Sequence, residues 1–269
     1  MNAQEDAVSD GSDIPRSRQQ ESRRRPNAFV QLLKDLVFVI VGALIASTLL
    51  RVFVAQMFVI PSGSMETTLM VRDRVVVQKL IGYQRGDVIV FRDVNGWLAP
   101  APTDSSLIHK GLVFIGLWPD ESSNHLVKRL IGLPGDHVTC CDNSGRLSVN
   151  GVALDETAYL YKDANGRQAA PSDYPFDVVV PAGHVFVMGD HRNNSLDSRC
   201  HLDEKGLLGS ALGDSAFVPT SAIVGSTVAV AFPFNRFKTM GVPAAFAGIP
   251  SASGSPPTQA VITGSPPAC

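Results

Sequence analysis

One stretch limits what this chain can become. From Leu36 to Ile60 the only charged residue is Arg51. At about 20 residues per bilayer crossing, that run is long enough to span a membrane. A core helix of a soluble protein is the competing reading, and the length and all-round apolarity of the run argue against it. Arg51 lies near the far end, where a long side chain can snorkel to the interface. Arg16, Arg18, Arg23, Arg24, Arg25 and Lys34 all precede the run, and the positive-inside rule places that side in the cytoplasm. Everything after about Ala55 is then extracytoplasmic. A cleavable signal peptide has the same basic-then-apolar order, but this run is long and begins late.

The expected layout has four parts: a disordered cytoplasmic tail over 1–34, a transmembrane helix over 35–57, an extracytoplasmic β domain over 58–238 and a flexible low-complexity tail over 239–269. The first residues are rich in Ser, Gln, Asp and Arg and cannot build a core. The last are rich in Ala, Gly, Ser and Pro. With 45% hydrophobic residues the chain can form a sizeable core, and a net charge of −2 gives no reason to expect a nucleic-acid partner.

Between the tails the pattern is mostly β. Arg74–Leu80 and Asp87–Arg92 are short β-branched runs separated by glycines. Val127–Leu133 and Asp136–Cys140 read as a pair across Pro134-Gly135. Leu147–Leu154 holds an Asn-Gly at its centre, a strong hairpin signal. Phe176–Val180, His184–Met188 and Ala222–Phe232 complete the set. Asn95–Asn124 is less regular. Its apolar stretch Gly111–Trp118 fits a core strand, or a segment dipping into the interface with Trp97 and Trp118.

Three stretches carry possible chemistry. Pro61-Ser62-Gly63-Ser64-Met65 follows the apolar run directly, and on its own could be no more than a serine-rich turn capping a short helix. In Val127-Lys128-Arg129-Leu130, strand alternation puts Lys128 on one face with Leu126 and Leu130. It is then either an edge lysine that deters aggregation or an amine whose pKa is lowered by burial. Gly189-Asp190-His191-Arg192-Asn193-Asn194-Ser195-Leu196-Asp197-Ser198-Arg199 is dense in hydrogen-bonding groups, as suits a loop that orients a site.

In this order, and with Gly86-Asp87-Val88-Ile89-Val90-Phe91 and Leu133-Pro134-Gly135-Asp136 between them, these stretches resemble the bacterial type I signal peptidases. The resemblance runs from the apolar segment to about Phe237. It implies a mainly β fold: a membrane-anchored antiparallel β domain with a coiled-barrel core, an extended insertion and one N-terminal transmembrane helix. It also implies a serine endopeptidase that removes signal peptides from exported preproteins at the bilayer, without a cofactor or a metal. Carried over motif by motif, Ser64 would be the nucleophile and Lys128 the general base. Ser62 and the Ser64 backbone N–H would form the oxyanion hole. Ser195 would hydrogen-bond the lysine, and Asp197 and Arg199 would hold the loop. Phe58, Ile60, Leu69 and Val127 would line shallow substrate pockets. Thr67 departs from the family, which usually has proline there, and a slightly looser turn is expected.

The chemistry agrees with those roles. A serine hydroxyl needs a base to become a good nucleophile, and a lysine is a base only when neutral. One rival is a Ser-His-Asp hydrolase using His191 beside Asp190, but no Gly-x-Ser-x-Gly elbow surrounds Ser64. A self-cleaving Ser-Lys repressor fits poorly with a membrane anchor. A non-enzymatic surface module would leave the motif set unexplained. Cys140, Cys141, Cys200 and His201 lack the usual metal-ligand spacing. In an oxidising compartment Cys200 is expected to pair with Cys140 or with Cys141, because vicinal cysteines rarely pair with each other.

Overall fold

The computed structural model describes residues 28–99, 124–205 and 211–264, with the backbone alone for 50–52. The N-terminal tail and the Gly111–Trp118 segment lie outside these residues. The first element is a helix, α1, over Ala28–Phe53. Its side chains are exposed and apolar on every side, Phe29, Leu33, Phe38 and Ile45 among them. Its Ala28–Leu49 part has a mean hydropathy of 2.2. At about 1.5 Å per residue, its 26 residues exceed the roughly 30 Å hydrocarbon core of a bilayer.

The helix begins and ends earlier than the expected 35–57 span. Ala55–Val59 forms a strand, β1, which pairs antiparallel with β2 (Arg74–Gln78), Phe58 opposite Val75. Phe58 and Ile60 are buried in a β core beside Val75, Val77 and Leu69. The last part of the apolar run therefore serves this core.

The remaining strands are β3 (Val88–Arg92), β4 (His125–Gly132), β5 (His137–Cys140), β6 (Ser148–Val149), β7 (Val152–Ala153), β8 (Phe176–Val179), β9 (His184–Met188), β10 (Val218–Pro219), β11 (Ile223–Phe232), β12 (Lys238–Thr239) and β13 (Val261–Ile262). They build two antiparallel sheets. The larger runs β1-β2-β11-β3-β4-β9-β10, with β12 beside β11; the smaller runs β13-β8-β5-β6-β7. In the larger sheet β1 and β10 are the two ends of an open path, so the strand order by itself describes a sheet and not a closed barrel. The smaller sheet is mostly an insertion between β4 and β9.

One sequence expectation changes here. β4 and β5 are both strands, but they do not pair. β4 joins β3 and β9, and β5 joins β6 and β8. The turn between them sends the chain into the other sheet: Gly135 adopts φ +87°, and the Asp136 carboxylate accepts the Leu133 N–H and both arms of Arg85. The Asn150-Gly151 turn does close the β6–β7 hairpin, with both residues at positive φ.

The segment after Thr239 is not a flexible tail over its described part. Phe246 and Ile249 are buried in the core of the smaller sheet. The Pro250 carbonyl accepts the Asn150 amide, and the Pro257 carbonyl accepts the Ala182 N–H. β13 then pairs with β8. Two apolar side chains and these backbone contacts hold a segment whose composition alone suggested disorder. Phe246→Ala should therefore destabilise the β domain by about 3 kcal/mol or more, as for other buried aromatics. Chemical denaturation of the detergent-solubilised chain checks this, and a change within error would make the segment a passive cover.

The cysteine expectation is overturned. Cys140 and Cys141 are joined to each other, across a cis peptide that brings their Cα atoms to 2.9 Å. Cys200 is also disulfide-bonded, but to neither of them. The expectation rested on the rarity of pairing between adjacent cysteines, and this chain has such a pair.

Candidate active site

Ser64 sits in a short 3-10 turn, Gly63–Met65, directly after β1 and its continuation to Pro61. The turn is held from below by Met65 and Leu69, both buried with Phe58, Val88 and Val127. It is held from the side by the 189–199 loop, since the His191 N–H donates to the Ser64 carbonyl at 3.0 Å. Lys128 comes from β4, opposite Ile89 of β3. Its Nζ lies 2.7 Å from Ser64 Oγ, and the side chain is 2% exposed. Burial lowers the Lys128 pKa to about 8; Asp197 and Asp190 pull the other way, while Arg199 adds to the lowering. Ser62 Oγ is 3.4 Å from Ser64 Oγ.

The loop itself is a buried charge network. Asp197 accepts the Gly189 N–H at 2.9 Å and both the backbone and side chain of Arg199. Burial alone would raise the Asp197 carboxyl, but Arg199 holds it down to about 2. Asp190 takes a bidentate pair from Arg129 and a hydrogen bond from the Thr68 hydroxyl. Arg192 pairs with Glu156 and donates to the Gly189 carbonyl. Each buried charge is thus paired, as burial requires. Sequence reasoning missed Thr68, Arg129 and Glu156, which contact the loop from outside its motif.

Ser195 lines the same cavity as Ser64 and Lys128 but makes no hydrogen bond to the lysine. Its Oγ is buried without a hydrogen-bond partner. The lysine's hydrogen bond goes to Ser64, so the expected Ser195 contact is not made here. His191, the rival base, faces elsewhere: its Nδ1 lies 3.3 Å from the Gly63 carbonyl and 3.2 Å from Glu66, and its ring stacks on Tyr161 at 3.6 Å.

Two cavities meet at Ser62 and Ser64. One, of about 570 Å³, holds Lys128 and Ser195. The other, of about 770 Å³, is lined by Phe58, Ile60 and Val127. Leu69, the fourth pocket candidate, is fully buried beneath and does not line it.

Gly189 is a tight point. A Cβ there would lie 2.2 Å from Ser195 Oγ and 2.5 Å from the Ser64 carbonyl oxygen. Gly189→Ala must therefore push the Ser64 turn or the loop aside. A displacement of about 1 Å at a reacting group commonly costs on the order of a hundredfold in rate, so kcat/KM for a cleavable peptide should fall at least that far. A rate within about threefold of wild type would mean that the loop yields and the turn does not.

Comparison with known proteins places the chain among peptidases. The profile of the signal peptidase family, peptidase S26, matches residues 33–232. Signal peptidase I of Mycobacterium tuberculosis is 35% identical over 226 residues, covering 76% of this chain and 74% of that protein. Signal peptidase I of Bacillus licheniformis is 29% identical over 227 residues, covering 82% and 97%. The chain belongs to the signal peptidase family.

Proposed function

We propose that this protein is a membrane-bound serine endopeptidase that removes N-terminal signal peptides from exported preproteins by a Ser64–Lys128 dyad. The observation that carries the reading is the buried Lys128 amine 2.7 Å from Ser64 Oγ. With the amine neutral, the hydrogen bond reverses and Nζ accepts the hydroxyl proton. Ser64 Oγ then attacks the carbonyl of the scissile bond. The Ser62 hydroxyl and the Ser64 N–H receive the oxyanion. Lys128 passes the proton to the leaving amine, and a water then releases the acyl group from Ser64.

Ser195, with its unpaired buried hydroxyl in the same cavity, is the group that would steady the lysine once substrate shifts it. Asp197 and Arg199 hold that loop rigid. The apolar cavity at Phe58, Ile60 and Val127 takes small residues before the cleavage site. α1 crosses the membrane with the N-terminus in the cytoplasm and the β domain outside, where preproteins emerge.

Purified protein in detergent, given a preprotein with an Ala-x-Ala site, should release a mature chain whose new N-terminus follows that site. Cleavage elsewhere or none at all would refute the reading. Protease added outside spheroplasts should digest the β domain, and its protection would reverse the orientation.

A further inference from the structure

Arg72 stands in an unusual place. Its φ of +72° lies in the left-handed region, which residues other than glycine seldom occupy. The backbone is pinned there, since the Arg72 N–H donates to the Ile60 carbonyl at 2.8 Å. A glycine would hold this turn without strain. The conformation therefore does not explain the arginine, but its position suggests a use.

The Arg72 side chain is exposed and lines the apolar cavity beside Ser62 and Ser64, together with Phe58 and Val127. It makes no ion pair with any described residue. Its neighbour Asp73 does not neutralise it. That carboxylate is 1% exposed, pairs with Arg236 at 2.9 Å and accepts the Met70 N–H. The other lining residues are apolar except for Pro61's hydroxyl neighbours Ser62 and Ser64, and for His125, whose ring rests against Phe58. An apolar floor thus carries a cationic rim beside the nucleophile.

We propose that Arg72 is a specificity-determining residue, selecting preproteins with an acidic side chain, and against a basic one, at the substrate position that reaches this rim. The inference rests on the peptidase reading above. An exposed charge against an exposed charge gives a modest effect, about fivefold between Asp and Lys, and one that salt screens.

The test is a peptide series around one cleavable parent, with Asp or Lys placed singly at each position near the scissile bond. At one or two adjacent positions the wild type should cleave the Asp peptide about fivefold faster, with the gap closing in about 0.5 M salt. Arg72→Gly suits the backbone, so it should fold and cleave the neutral parent while losing the preference. Arg72→Glu should reverse the preference at the same position. An equal Asp-to-Lys ratio in wild type and Arg72→Gly at every position would overturn the proposal while leaving the peptidase reading intact. Failure to cleave even the neutral parent would overturn both.

Discussion

Lys128→Arg will eliminate peptide cleavage although the positive charge is kept, because arginine does not deprotonate in proteins. Wild-type Lys128 escapes that limit through burial. With its pKa lowered to about 8, about one amine in ten is neutral at pH 7, against about 0.04% for an ordinary lysine. The wild-type kcat/KM should then fall about tenfold per pH unit below an apparent pKa near 8. A limb near 6.5 that vanishes in His191→Ala would move the base to histidine. Activity retained in Lys128→Arg would end the Ser–Lys mechanism.

The same burial sets a pH dependence of stability. The folded-state pKa lies below the unfolded value, so the unfolded chain binds more protons between about pH 8 and 10.5. This lysine's contribution is therefore fully favourable above about 10.5 and lost as pH falls through 8. Below 8 the buried charge costs on the order of 3 kcal/mol. Lys128→Met should lack this slope and be more stable than wild type at pH 7, though inactive.

Ser64→Ala should lower cleavage on the order of a millionfold, as when other covalent nucleophiles are removed. The more informative result is the double variant. If Ser64 and Lys128 act as one unit, Ser64→Ala with Lys128→Ala should lose no more than either alone. Losses that multiply would mean that the two side chains serve separate steps. Single-turnover assays with long incubation supply the range, and peptide binding to each variant shows that the groove survives.

The residues that meet at the candidate site were more legible in the sequence than the pairing of the strands was. Ser64, Lys128, Asp197 and Arg199 lie in compact motifs whose order is a one-dimensional property. Pairing between distant strands is not, and the Pro134-Gly135 turn between two short runs therefore suggests a β4–β5 pair where the chain instead changes sheets. The Ala/Gly/Ser/Pro composition of 239–264 hid two well-placed apolar residues, Phe246 and Ile249, because burial depends on what a segment meets. The disulfide joins adjacent cysteines, a rare pairing that residue types do not mark. Ser195 lines the same cavity as Ser64 and Lys128, yet the expected hydrogen bond depends on side-chain placement that no motif encodes.

The place of β11 has a consequence for biogenesis. β2 follows the Ser64 turn and β3 is the partner of Lys128's strand, yet among the described strands β2 and β3 are bridged only by β11. The Gln78 side chain meets Ser226 across 148 residues of chain. A ribosome makes the chain from the N-terminus, so the helix and the Ser64 turn emerge long before β11 does. In the proposed orientation, the hydroxyl and the amine would both be outside during translocation but not yet held in register. Chains arrested before Ile223 should be anchored and inert, and those released after Phe232 should become competent. On the proposed reading, a protease that awaits its own late strand would not cut at the translocation channel while it is still passing through.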